Sequence, residues 1–509
     1  MILTEKSNIE KLMDRHGLSD DTRNLIVNEH LLPDSLVARL HNSYPQHSRL
    51  QESSKAIFTS SKRKYTGLKG FREICKILNE NGIELGKIKE RELFIEVYRF
   101  MVTRHVLNTI DWSNFTEDSV FQLTFPQPGM IDGAIVEEYL KEDDQVKRTK
   151  IATDYIHRTN PHDGKQLLNR PSFYTQDGEL ESLQGSQHKY PQVFLLFDKT
   201  TQSCFSFCTY CFRHAQVRGD EDMFIQHEIK QVHDYLKQHK EVSDILVTGG
   251  DAGYMPAERM RKYLEPLMTD PELIHIKSVR IASRALTFDP EIILDEKYQD
   301  ILSLFRELSD HGIQVLWMGH FSSPKELMNI VTLASVRRLR AHGVNVKSQS
   351  PMMNHISLFK DQNGQVDVDR SAQNWIDLAE ILTMQGIGFH SMYCARPTGE
   401  HHYFTAPLAD MDKVFSKIYR SLPSVSRPSR YITMTSSAGK TSLMGTVEVN
   451  GRKAFALKFN EARNMEWLDK VYLAEYDEQE TTIEKLKPFG GGKNFYEEEL
   501  KSIEKALEK

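Results

Sequence analysis

Cysteine is scarce, with five in 509 residues, too few to build a disulfide framework. No apolar run approaches the roughly 18 residues of a membrane span. The opening MILTEKSNIEKLMDRHG has neither an apolar leader segment nor the Arg- and Ser-rich, acid-poor texture of a transit sequence. A cytoplasmic protein with no membrane partner is therefore expected. A basic surplus is missing too: 65 Lys and Arg stand against 71 Asp and Glu, a formal charge of −6, so nucleic acid is not expected as a partner. Internal repeats and low-complexity stretches are lacking. What remains is an ordinary globular composition, 39% hydrophobic and 27% charged, in a chain long enough to bury a large core.

Residues 1–150 read as a helical N-terminal region, because Phe71, Ile74, Ile77 and Leu78, then Leu93, Ile95, Val97, Tyr98 and Met101, recur at helical steps. From about residue 185 to 430 the texture changes to short apolar runs separated by amphipathic stretches. The runs are QVFLLFD (192–198), DILVTGG (244–250), SVRIAS (278–283), QVLWMGHF (314–321), NVKSQSPMM (345–353) and GFHSMYC (388–394), starting 31 to 52 residues apart. Each interval holds a strand, a helix and two loops. Six such units predict an α/β fold with a mainly parallel sheet, as an open or partial (βα)6 barrel, with chemistry at the C-terminal ends of the strands. Residues 431–509 loosen into strand-like pieces, GTVEVNG and KAFALKF, a Gly-rich hinge and a charged terminal helix. That α+β extension is expected to end in a solvated or subunit-packing helix.

Three of the five cysteines, Cys204, Cys208 and Cys211, fall within eight positions directly after the first run. One short loop of this kind can wrap a compact metal centre. Thiolates are the ligands of iron–sulfur clusters and of zinc, and three from the chain leave one position open. For zinc, His214 is the local candidate for a fourth ligand, but the distant second cysteine pair that structural zinc sites favour is missing. At the end of the second run stands Thr248-Gly249-Gly250-Asp251. Glycines there allow close backbone approach to a ligand, and a carboxylate suits an ammonium. The segment Ser436-Ser437-Ala438-Gly439-Lys440-Thr441 is not a nucleotide P-loop, because Met434 occupies the place of the required glycine six positions before the lysine.

The CX3CX2C spacing, with the aromatic Tyr210 before the last cysteine, resembles the signature of radical S-adenosylmethionine (SAM) enzymes. That resemblance implies a [4Fe–4S] cluster on Cys204, Cys208 and Cys211, with SAM on the open iron and its methionine amine at Gly249, Gly250 and Asp251. Over most of residues 185–450 the chain is most similar to the lysine 2,3-aminomutase family, through HKYPQVFLLFDKTTQSCFSFCTYCFRHAQ, TGGDA, RIASRALTFDPEII, HFSSPKEL and VKSQSPMMNHI. By that resemblance Ser283, His320 and Gln349 are SAM contacts and Arg213 pairs with the carboxylate of an amino-acid substrate. Lys440 forms the internal Schiff base with pyridoxal 5′-phosphate (PLP), and Lys189 lies where the family binds the PLP phosphate. The implied activity is an isomerase that moves an α-amino group to the β-carbon through a 5′-deoxyadenosyl radical. It implies a one-electron reductant such as a flavodoxin or ferredoxin, and a homo-oligomer.

The sequence also departs from the family. Where lysine-specific members grip the distal ammonium with two aspartates, this chain has Ala395 and Thr433, and an unpaired buried ammonium is costly. A non-lysine amino acid is therefore expected, and Arg396, His401 and His402 suit a glutamate-like one. Val193 stands where the family has a phosphate-binding arginine, and no cysteine follows Cys394. Two other readings stay open: a PLP-independent radical SAM enzyme derived from an aminomutase, and a non-catalytic protein that only binds a metal cluster.

Overall fold

The computed structural model describes residues 7–51, 56–158, 165–175, 177–213, 224–396 and 401–507. Two small two-stranded sheets stand apart from the main sheet: β1 (Lys64–Thr66) with β2 (Met101–Thr103), and β3 (Ser172–Tyr174) with β4 (Leu180–Ser182). Everything else extended joins one sheet of eleven strands. Its centre is β6 (Val193–Phe197), β7 (Asp244–Thr248), β8 (Ser278–Ala282), β9 (Gln314–Gly319), β10 (Asn345–Met352) and β11 (Gly388–Cys394), parallel and in chain order. These are the six apolar runs of the sequence. A helix follows each: Ile229–Gln238, Ala257–Leu264, Gln299–Asp310, Ile330–Ala341, Val368–Met384 and Leu408–Ser421.

The parallel strands are two-sided because their side chains alternate. On β7 and β8, Ile245, Val247, Val279 and Ile281 are buried, and helices such as Gln299–Asp310 bring Ile301, Leu302, Leu304, Phe305 and Leu308 to the core. The alternate positions, Leu246, Thr248, Arg280 and Ala282, line a cavity on the other face. Chemistry-bearing residues thus share one face with apolar neighbours at strand spacing.

At one edge β5 (Ser186–Tyr190) pairs antiparallel with β6. At the other, β12 (Ile432–Thr435) joins β11 through Tyr393 and Thr433, then β13 (Gly439–Val449), β14 (Arg452–Ala462) and β15 (Val471–Glu475) continue antiparallel. The turn between β13 and β14 is Asn450-Gly451, with φ of 51° and 74°, the left-handed pair that a two-residue hairpin requires. The sheet curls until its ends meet, since β5 touches β14 and Lys189 on β5 donates to the Ser436 carbonyl beyond β12.

Residues 1–150 do contain the helices read from the sequence, including Gly67–Glu80 and Ile88–Val97, although Met101 belongs to β2. Their apolar residues belong to the same core as the sheet, which runs from Leu12 to Leu486. The terminal helix Glu497–Leu507 is anchored on its own chain. Leu500, Ile503 and the preceding Tyr496 pack on Ala438, Phe459 and Trp467, and Glu499 accepts from Trp467 Nε1 at 2.8 Å. Among the described residues no helix is long and apolar enough to cross a membrane.

Candidate active site

The cysteine loop leaves the end of β6 and is clamped by the N-terminal helical region. Phe207 N–H donates to Met101 O at 2.7 Å and Thr209 N–H to Leu123 O at 2.9 Å. Thr209 Oγ1 donates to Gln122 O at 2.8 Å, and Lys64 Nζ to Cys204 O at 3.0 Å. Nothing in the spacing of residues 64, 101 and 123 announces this clamp. From the sheet side, Thr201 holds the loop to β7, its Oγ1 donating to Thr248 O at 2.7 Å while its carbonyl accepts from Gly250 N–H at 2.8 Å.

That contact gives the glycines a packing role. A Cβ on Gly249 (φ +144°) would meet Thr201 Oγ1 at 2.4 Å, and one on Gly250 would meet Ser203 O at 2.8 Å and Cys204 Sγ at 3.0 Å. The glycines admit the cysteine loop itself. Asp251 is likewise part of the scaffold: Oδ1 accepts from Gly253 N–H at 2.8 Å and Oδ2 from Arg284 N–H at 2.9 Å. Burial pushes its pKa up to about 6, with Ser283 and these N–H groups pulling the other way. Ser283 accepts from Ala285 N–H at 3.0 Å.

One cavity of ≈ 320 Å³ collects Cys204, Cys208, Tyr210, Cys211, Arg213, Gly249, Gly250, Asp251, Ser283, His320, Gln349 and Lys440. These residues come from five strand ends and one hairpin. Burial raises all three thiols, Cys211 to about 12, so a cationic centre is what such a set needs in order to ionise. The residues present fit a cluster. His214 lies outside the described residues. Burial, then Arg284, lowers His320 to about 3. Its ring is therefore neutral and lies 3.4 Å from Gln349 Nε2, while Tyr393 Oη donates to Gln349 Oε1 at 3.1 Å. Gln349 sits where the β10–β11 register shifts, a bulge that re-aims its side chain. Tyr393 had no signal in the sequence beyond its place at a strand end.

Lys440 opens β13 opposite Glu461 of β14, at a second register shift, and Nζ lies 2.6 Å from Glu461 Oε2. Lys189 does not line the cavity. Its ammonium is spent on the Ser436 carbonyl, and burial with Arg463 and Arg396 nearby drives its pKa well below the ordinary value. The sequence offered no sign that Arg463 and Tyr190 gather beside it. Arg463 donates to Ser437 O at 2.9 Å, Arg396 lines the adjoining cavity wall, and the buried Tyr190 Oη has no hydrogen-bond partner among the described residues. Lys440 lines the cavity, while Tyr190, its ring centre 5.2 Å from Lys440 Nζ, and Arg463, which also donates to Asn169 Oδ1 at 2.6 Å, stand behind the lining; an amine backed by a free hydroxyl and a cation fits a phosphorylated aldehyde cofactor.

Arg213 and Arg396 flank Phe212, at 5.3 and 4.8 Å from its ring centre. Burial, then Arg396, lowers Arg213 to about 9. Ala395 and Thr433 line the same wall, and Asp251 is the one carboxylate among the lining residues, against Arg213, Arg280, Arg284, Arg396 and Lys440. His402 turns away, its Nε2 3.2 Å from Gly129 O, and the His401 side chain lies outside the described residues.

No family model matches the chain. Curated relatives are similar to it over about half its length. They include a glutamate 2,3-aminomutase of Clostridioides difficile, 26% identical over 43% of this chain and 52% of that one. An L-lysine 2,3-aminomutase of Clostridium subterminale is 27% identical over 34% and 38%. The chain spans less than two thirds of its relatives' own length, 65% for an Aquifex aeolicus protein provisionally described as an L-lysine 2,3-aminomutase, at 25% identity over 52% of this chain. Among solved structures, a radical SAM methyltransferase from Sphaerobacter thermophilus is 12% identical over 71% of this chain and 92% of that one, with a TM-score of 0.31, too low to bear on the fold. The cysteine motif resembles that of radical SAM enzymes, and the curated relatives to which the chain is similar are named as 2,3-aminomutases. Within that class the chain is lysine 2,3-aminomutase-like.

Proposed function

We propose that this protein is a radical SAM, PLP-dependent 2,3-aminomutase whose substrate is an amino acid with a second acidic group. On this reading the curled sheet is a partial (βα)6 barrel, with residues 185–430 as its body and residues 431–509 carrying the PLP lysine. Cys204, Cys208 and Cys211 would hold the [4Fe–4S] cluster, and the loop ends at Gly250, Ser283, His320 and Gln349 would receive SAM. Lys440, with Tyr190 and Arg463 behind it, would receive PLP. When bound, these cofactors supply a hydrogen-abstracting radical and a carbonyl that holds the migrating nitrogen.

The chain's own part is binding and orientation. Glu461 Oε2, 2.6 Å from Lys440 Nζ, pairs with the ammonium and fixes its position at the start of β13. Arg213 presents a planar fork to the substrate α-carboxylate, and Arg396, across Phe212, meets the distal acid. Leu195, Leu246 and Met318 make an apolar wall that keeps water from reactive species. Tyr393 and Gln349 hold the neutral His320 ring in place.

The observation that carries the substrate class is that Arg213 and Arg396 share one cavity lining with Ala395 and Thr433, which stand in place of acids. The relative named for glutamate supports the same direction. The test is anaerobic turnover of reconstituted protein with SAM, PLP and dithionite on glutamate, aspartate and lysine, followed by mass spectrometry of β-amino products. Product from an acidic amino acid and none from lysine is expected; product from lysine alone would overturn the proposal. The engagement of Lys189 with Ser436 favours a second reading in which PLP is not used, and full turnover in Lys440→Ala would establish it.

A further inference from the structure

We propose that Arg284 is a positioning residue that raises the reduction potential of the cluster on Cys204, Cys208 and Cys211, with Glu326 opposing it. The inference rests on the cluster assignment above. Arg284 Nη1 lies 3.2 Å from Cys208 Sγ and 3.5 Å from Tyr210 Oη. The backbone beneath it is pinned by Asp251, and Phe288 underlies the guanidinium at 4.6 Å. Behind it, Glu326 Oε2 stands 3.7 Å from Nη2. That carboxylate is fixed in turn, Oε1 accepting from the N–H groups of Ser322 at 2.7 Å and Ser323 at 2.9 Å. Arg284 is 8% exposed and Glu326 3%.

A purely structural cation would be expected to satisfy its donors. Arg284 leaves Nε and Nη2 without a hydrogen-bond partner among the described residues, a costly state for a buried guanidinium. What it does have is a fixed N–H aimed at a cluster-ligating sulfur. One-electron reduction adds one negative charge to the cluster and its thiolates, with no bond made or broken, and the electron comes from an external one-electron donor. A fixed positive charge and an N–H···S contact in low dielectric both favour that more negative state. A carboxylate at the other end of the guanidinium works against it, so the two side chains shift the potential in opposite directions.

The experiment is a dithionite potentiometric titration of reconstituted wild-type, Arg284→Gln, Arg284→Lys and Glu326→Gln proteins without SAM, read by electron paramagnetic resonance, with iron and sulfide assayed first. Arg284→Gln at wild-type iron content should lose about tenfold in the reduced-to-oxidised ratio at a fixed potential, a midpoint about 59 mV more negative. Arg284→Lys should fall between it and wild type, and Glu326→Gln should move the midpoint positive. An unshifted midpoint in a fully loaded Arg284→Gln overturns the inference. Should Arg284→Gln lose its cluster, the Glu326→Gln midpoint decides, a positive shift supporting the inference and no shift or a negative one overturning it. A wild-type chain that takes up no cluster overturns the functional reading itself, an outcome separate from all of these.

Discussion

The two halves of the curled sheet assemble their chemistry differently. In the parallel half, from β6 to β11, site residues sit in short motifs at strand ends: three cysteines in eight positions, TGGD, Ser283 and Gln349. In the antiparallel extension, Lys440 has local company only from its turn. Its other neighbours arrive from far along the chain: Glu461 and Arg463 from the end of β14, Tyr190 from β5, Arg396 from beyond β11. The difference teaches where a sequence motif can be trusted. A loop that wraps one metal centre must carry its ligands close together, whereas a charged pocket at the meeting of two sheet edges can recruit cations from anywhere.

The largest expected effect tests the independence of the two halves. Cys208→Ala should abolish iron uptake in reconstitution while leaving borohydride-trapped PLP on Lys440 intact, measured by iron assay and peptide mass. Loss of both signals would show that the halves form one cooperative site. The reciprocal variant, Lys440→Ala, should lose the trapped adduct and keep full iron content. A smaller effect is expected at the substrate wall, where Arg396→Ala removes one charge-assisted contact worth roughly 1.5–3 kcal/mol. It should lower kcat/KM for an acidic amino acid by about tenfold to a hundredfold, without gain for lysine. Smallest is Gly451→Ala in the β13–β14 turn, where φ is +74°. It should lower stability by about 1 kcal/mol in urea unfolding and leave iron content unchanged.

Gly249 and Gly250 show how packing can add a reason for a motif that the motif does not carry. The sequence says that close approach occurs at the end of β7. Only the packed loop shows that the approaching group is the chain's own Thr201, Ser203 and Cys204. Asp251 teaches the same lesson, because both its carboxylate oxygens serve backbone N–H groups. Lys189 was expected, by the family resemblance, at a phosphate-binding position before the cysteine loop; its partner, the Ser436 carbonyl, lies 247 residues away.

The sequence alone determined the six βα units, because strand and helix periodicities are local properties of the chain, and it determined the cysteine loop, because metal ligands on one loop are close in number as well as in space. The tertiary structure decided the rest. It chose the N-terminal region as the clamp on that loop, placed Arg284 against Cys208, and set Arg396 and Arg463 around the Lys440 turn. Each of these is a contact between segments far apart in the chain, selected by the curl of the sheet and the burial of charge, and neither leaves a periodic mark on the residues that make it.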